Sequence, residues 1–150
     1  MGSDIQPPIT NDQRPMRLFL STLSLLLLAA IVWVTLGTSP QMTTVSWIPK
    51  FVSRWADAEP TFRNFPPYAL ATLLSTLTAL TWIRPRTRSH GLLIILGMLC
   101  LWALLGTGLE CAQLWLPYRK FDLLDITWSV VGTLAGSALS LPWLLVIGDR

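Results

Sequence analysis

The chain has 150 residues, of which 52% are hydrophobic and 13% charged, with 11 Lys and Arg against 8 Asp and Glu and a formal charge of +3. The charged share is well below that of ordinary soluble domains, and the apolar residues fall in four long blocks that a soluble core would not require. These features describe one polytopic membrane domain. The small charge, with no basic stripe interleaved with aromatics, gives no argument for a nucleic-acid partner.

In chain order, residues 1–17 are polar, carry three prolines and end on Arg14 and Arg17, and read as a short disordered leader. Residues 18–36 form an apolar run of 19, long enough to span a bilayer. It exceeds a usual signal core and no convincing cleavage site follows, so the expectation is an uncleaved first helix. Residues 37–64 are the longest connection. Within it Ile48, Phe51, Val52 and Trp55 recur at i, i+3, i+4 and i+7, while Lys50, Ser53 and Arg54 face elsewhere. That pattern predicts a short amphipathic helix lying in the membrane interface; a loop packed on the other helices is the alternative.

The second span is expected over residues 65–83, with Pro66 and Pro67 in the first turn, where proline is tolerated. A basic turn follows over residues 84–90. The third span begins at Gly91 and runs at least to Leu109. Cys100 and Cys111 fall on it, about 16 Å apart by helical rise, too far for a disulfide. The fourth is expected over residues 126–147, where Pro142 leaves the Ala138 carbonyl unpaired and predicts a kink.

Four spans place both termini on one side, together with Arg14, Arg17, Arg84, Arg86, Arg88 and Arg150. Lys50, Arg54, Arg63, Arg119 and Lys120 fall on the other. Short loops obey the positive-inside rule most faithfully, and the 84–90 turn carries three arginines. The expected topology is therefore a multi-pass inner-membrane protein with both termini cytoplasmic.

The polar residues concentrate in 106–136. Glu110 lies 19 residues past Gly91, about 28 Å along a helix, and so near the outer boundary of a hydrocarbon core about 30 Å thick. Gly106, Glu110 and Gln113 share one face. A carboxylate there requires a partner or a proton. Arg119 and Lys120 follow the Pro117 break, and the planar guanidinium of Arg119 suits a carboxylate or phosphate. Asp122 and Asp125 open the last span, where capping competes with a ligand role. Asp125, Ser129, Gly132 and Gly136 continue along one face, and Gly132-x-x-x-Gly136 is a helix-packing pattern. The simplest arrangement packs that face against the Gly106–Gln113 face with Arg119 between them. The expected ligand-binding set is thus Glu110, Gln113, Arg119, Asp122, Asp125 and Ser129, with Gly106, Gly132 and Gly136 in packing.

The order E-x-x-Q, R-x-x-D-x-x-D, G-x-x-x-G over about residues 106–137 resembles the VanZ-like family of bacterial membrane proteins. A weaker echo stands at Asn64-Phe65-Pro66-Pro67-Tyr68, and Ser129 stands where that family usually has Asn. The family's acid–base pair just upstream of this echo is not evident. The resemblance implies an all-α, four- to five-helix envelope protein, here a four-helix membrane domain over residues 18–150. It also implies a possible link to tolerance of the glycopeptide teicoplanin. The expected partners are membrane lipids, with a lipid-linked or anionic envelope ligand at the outward pocket. A second reading is a non-catalytic accessory or scaffold subunit bound to a membrane protein partner, which the small size and eight tryptophans suit. A third, a proton-coupled transporter built on Glu110, ranks last, because four spans are few and no acid falls at midplane. No nucleophile elbow, His partner for Cys111 or metal-ligand cluster is visible, so the sequence leans away from an enzyme and calls for no cofactor or metal.

Overall fold

A computed structural model describes residues 13–37, 41, 43, 45–46, 48–60, 62–117 and 121–147, and among these every regular element is helical. The helices are α1 (Gln13–Leu36), α2 (Lys50–Ala58), α3 (Phe65–Ile83), α4 (Arg88–Gln113), α5 (Leu123–Ser140) and α6 (Pro142–Ile147). Three stretches, Arg14–Leu36, Arg88–Gln113 and Leu123–Leu145, are long and apolar enough to cross a membrane, which is compatible with a multi-pass membrane protein.

α1 starts five residues before the expected boundary, because Pro15 falls in its first turn and does not interrupt it. Arg14 and Arg17 therefore ride on the helix; the rest of the expected leader, residues 1–12, lies outside the described residues. α3 runs over the expected residues, with Pro66 and Pro67 near its start. It stops at Arg84, whose backbone is left-handed (φ 50°, ψ 68°) and whose amide donates to the Leu80 carbonyl. Buried Pro85 follows. Thr87 caps α4, its hydroxyl oxygen accepting the His90 amide at 3.3 Å.

The expected kink at Pro142 is a break between α5 and α6. The Ala138 carbonyl, expected to be unpaired, accepts the Leu141 amide at 3.1 Å, a tighter i+3 bond that closes α5.

Side-chain contacts fix the helix directions. Ser21 and Ser24 near the start of α1 meet Trp82 and Thr78 near the end of α3, so these two run antiparallel. On α4, Trp102 donates to Ser75 at 2.6 Å, and Gly106 lies against Tyr68, so α4 also opposes α3. Gly132 and Gly136 of α5 lie against Phe65 and Ala69 of α3, so α3 and α5 run parallel. The chain thus goes up, down, up and down. One end gathers the start of α1, the end of α3, the start of α4 and α6; the other gathers α2, the start of α3, the end of α4 and the start of α5.

α3 is the centre of this bundle, touching α1, α4 and α5, and α5 most extensively. The α3–α5 seam is made of small and hydroxyl residues: Thr72 and Thr76 of α3 and Gly132, Thr133, Gly136, Ser137 and Ser140 of α5 are all buried, with Thr72 against Gly136. Thr133 and Ser140 donate their hydroxyls to the Ser129 and Gly136 carbonyls one turn back. Large apolar side chains such as Leu93, Leu101, Leu104, Leu134 and Leu139 point outward. Small and hydroxyl residues inside with leucines outside is the distribution expected when the surroundings are lipid and close backbone approach drives packing.

The seam corrects the expected pairing. Gly132 and Gly136 were expected to face the third span, α4, but they face α3. A side-chain carbon at Gly132 would meet the Phe65 carbonyl oxygen, and one at Gly136 the Ala69 carbonyl oxygen. Only Gly106 serves the α4–α5 contact, where an added carbon would lie 2.9 Å from Ser129 Oγ and 3.0 Å from Tyr68 Cε1.

Candidate functional site

α2, the turn at 62–64, and the facing ends of α3, α4 and α5 converge at one end of the bundle, and aromatic rings lock them together. Phe62 stacks on Phe65 at 5.0 Å between centroids and meets Trp128 of α5 edge-on at 4.9 Å. Trp55 of α2 meets Phe62 edge-on at 6.1 Å. Such pairs add modest energy beyond the area they bury, and here they fix the turn that carries Arg63 and Asn64. α2 presents the apolar face that its spacing predicts, with Phe51 76% exposed, while Ser53 and Ala56 are buried.

Inside this ring lie the polar residues. Glu110 is 3% exposed in the last turn of α4 and Gln113 is buried one turn on. Asp125 is buried in the first turn of α5, and Ser129 follows one turn later. Arg63 reaches Asp125 with Nη2 3.7 Å from Oδ2, its side chain 17% exposed. Asn64 Nδ2 makes a long contact of 3.5 Å with the Asp125 carbonyl oxygen. Tyr68 sits between, 3% exposed, with both the Glu110 and Asp125 carboxyls within electrostatic reach of its hydroxyl. Its ring meets Trp102 edge-on at 6.2 Å, which holds it toward α4.

The expected residues divide accordingly. Glu110 and Gln113 at the end of α4 and Asp125 and Ser129 at the start of α5 are all buried at this end of the bundle, where Gly106 leaves room for the Ser129 and Tyr68 side chains. The Ser129 hydroxyl donates to the Ile126 carbonyl at 2.8 Å, so it offers only acceptor capacity to the site. Asp122 is exposed and caps α5, its Oδ1 accepting the Leu124 amide at 2.8 Å. Arg119 and Lys120 lie outside the described residues.

Three residues that the pocket expectation omitted belong to the site: Arg63, Asn64 and Tyr68. The signal was present in Asn64-Phe65-Pro66-Pro67-Tyr68, just after Arg63, at the same end of the bundle as Glu110. Arg63 and Asp125 form an ion pair across the fold, between the turn before α3 and the first turn of α5.

Chemically the described site offers carboxylate oxygens from Glu110 and Asp125, the Gln113 amide and the Arg63 guanidinium, so it presents both acceptors and donors. Among the described residues no group of three or more His, Cys, Asp or Glu could hold a metal. Neither Cys100 nor Cys111 is in a disulfide. No family model, curated protein or solved structure matches this chain.

Proposed function

We propose that this chain is a four-span membrane protein, in which α3, second in chain order, crosses along with the three apolar stretches and α2 is an interfacial helix. In this reading the Glu110–Asp125–Arg63 end binds the head group of a lipid-linked envelope ligand at the outer face. The observation that carries it is the pair of buried carboxyls, Glu110 in the last turn of α4 and Asp125 in the first turn of α5, at the bundle end where Arg63 reaches Asp125. Ionisable residues at a membrane boundary are costly there and mark ligand or ion sites.

Sugar hydroxyls or an amino group of the head group donate to Glu110 and to the oxygen of Ser129, while Gln113 can donate and accept. The linking phosphate belongs toward Arg63 and the Arg119-Lys120 pair that the sequence supplies in the same α4–α5 connection. No covalent step is required, and binding or presentation of the ligand is the activity.

α3 carries two prolines and five serine and threonine residues among its apolar side chains, yet its 19 residues reach about 28 Å. Enclosure by α1, α4 and α5 removes the need for a lipid-facing apolar surface all round.

The test is lipid retention. The chain is expressed in a bacterial inner membrane, purified in mild detergent, and its co-purifying lipids are identified by native mass spectrometry. Wild type should carry a polyprenyl-linked or glycosylated lipid. Glu110→Gln and Arg63→Ala should each lose it by about tenfold or more, the worth of one charge-assisted hydrogen bond, while inserting normally. Equal retention by both well-inserted variants would sink the reading.

A further inference from the structure

At the opposite end of the bundle, Arg17 stands outside the site described above. Its residue is 6% exposed, on the second turn of α1, and its guanidinium lies over the Trp82 ring with Cζ 5.5 Å from the centroid. Nη2 is buried and has no hydrogen-bond partner. The Trp82 indole is itself held, its Nε1–H donating to Ser21 Oγ at 3.1 Å, and it remains 52% exposed on the outer surface beside Ile83. An arginine laid against a fixed tryptophan face gains a cation–π contact, but that contact satisfies none of its five N–H donors.

No acid side chain of the described residues is hydrogen-bonded to Nη2 of Arg17. Among the described residues Asp57, Glu59, Glu110, Asp122 and Asp125 all belong to the other end of the bundle. The near end holds Arg14, Arg17, Arg84, Arg86 and Arg88. The left-handed Arg84 and buried Pro85 make the α3–α4 connection tight, which keeps Arg84, Arg86 and Arg88 beside the start of α1. A buried, hydrogen-bond-hungry cation on a lipid-facing tryptophan, at the head-group level of a basic bundle end, calls for an anion that arrives from the membrane.

We propose that Arg17, Trp82 and the 84–88 turn form a binding site for the phosphate of an anionic phospholipid. The guanidinium holds the phosphate with paired N–H bonds, the acyl chains run down the exposed Trp82 and Ile83 surface, and the turn arginines add charge. Basic pockets between spanning helices on the cytoplasmic side are suited to such head groups. The proposal rests on the membrane-spanning reading but not on the outer ligand site.

The test uses the full chain in mild detergent, with phosphatidylglycerol, phosphatidylcholine and inorganic phosphate as probes. Wild type should retain one phosphatidylglycerol in native mass spectra. Its melting temperature should rise with added phosphatidylglycerol and not with phosphatidylcholine. Arg17→Gln should weaken retention by about tenfold and lose the melting shift, while Arg17→Lys keeps part of both. Glu110→Gln should behave as wild type here, so this site and the outer one fail separately. Because a buried arginine variant can misfold, Arg17→Gln is scored only against its own melting in phosphatidylcholine, and Trp82→Leu serves as a second variant that should lose the shift with Arg17 intact. Either of two outcomes overturns the proposal: retention unchanged in both Arg17→Gln and Trp82→Leu, or an equal response to inorganic phosphate.

Discussion

Asp122 ends its side chain on the Leu124 amide in solvent, whereas Asp125, three residues later, is buried beside Arg63. The two acids look alike along the chain, and either could cap a helix or enter a pocket. What separates them is the residue at which α5 begins. With the helix starting at Leu123, Asp122 takes the N-cap position in extended backbone and Asp125 falls in the first turn, facing α3. A start at Ile126, the expected boundary of this span, would instead make Asp125 the cap and leave Asp122 outside the helix. Arg63 was harder still to assign, because its partner lies 62 residues away and only the fold joins them. The expected outcome is that Asp122→Ala costs about 1 kcal/mol as a lost cap, Asp122→Ser recovers it, and neither changes retention of the outer ligand. Asp125→Asn leaves Arg63 without its ionic partner, costs about 1–3 kcal/mol, and also lowers retention. Thermal unfolding in detergent, paired with lipid mass spectrometry, separates the two residues; ligand loss in a folded Asp122→Ala would assign it to the site after all.

Between elements, the α3–α5 seam depends on backbone approach. α3 itself was legible in the sequence down to its limits, since prolines mark its start and an Arg-Pro turn its end. The partner of the glycine face was not. Gly132 and Gly136 announce that some helix comes close, but the spacing is silent on which, and α3 and α4 both offer small residues. The parallel α3–α5 contact wins because Ala69 and Thr72 leave the α3 backbone uncovered at those heights. Gly136→Val should therefore destabilise the bundle by about 1–3 kcal/mol or more, since the obstacle is the Ala69 carbonyl rather than a side chain that can turn away. Gly97 makes the control: nothing lies within 4 Å of an added carbon there, so Gly97→Ala should be neutral or up to about 1 kcal/mol stabilising. The comparison is read as melting temperatures of the two variants in one detergent. Equal losses would mean that the seam is looser than its geometry.

For the whole molecule, alternating helix directions put every described arginine of α1 and of the 84–88 turn at one end and the Glu110–Asp125 site at the other. The overall charge count barely favours either orientation, yet the local arrangement does. The α3–α4 connection is short and carries Arg84, Arg86 and Arg88, and short loops orient most strongly. At the other end, Arg63 is paired with Asp125. The basic end should then remain on the cytoplasmic side. On a background with Cys100 and Cys111 changed to serine, a membrane-impermeant maleimide should label Glu59→Cys in intact cells and label Ser89→Cys only after lysis. Replacing Arg84, Arg86 and Arg88 together with serine should weaken that asymmetry and produce a mixed population. If Ser89→Cys is labelled in intact cells, the molecule is inverted, the Glu110 site faces the cytoplasm, and a ligand of the outer leaflet is ruled out in one measurement.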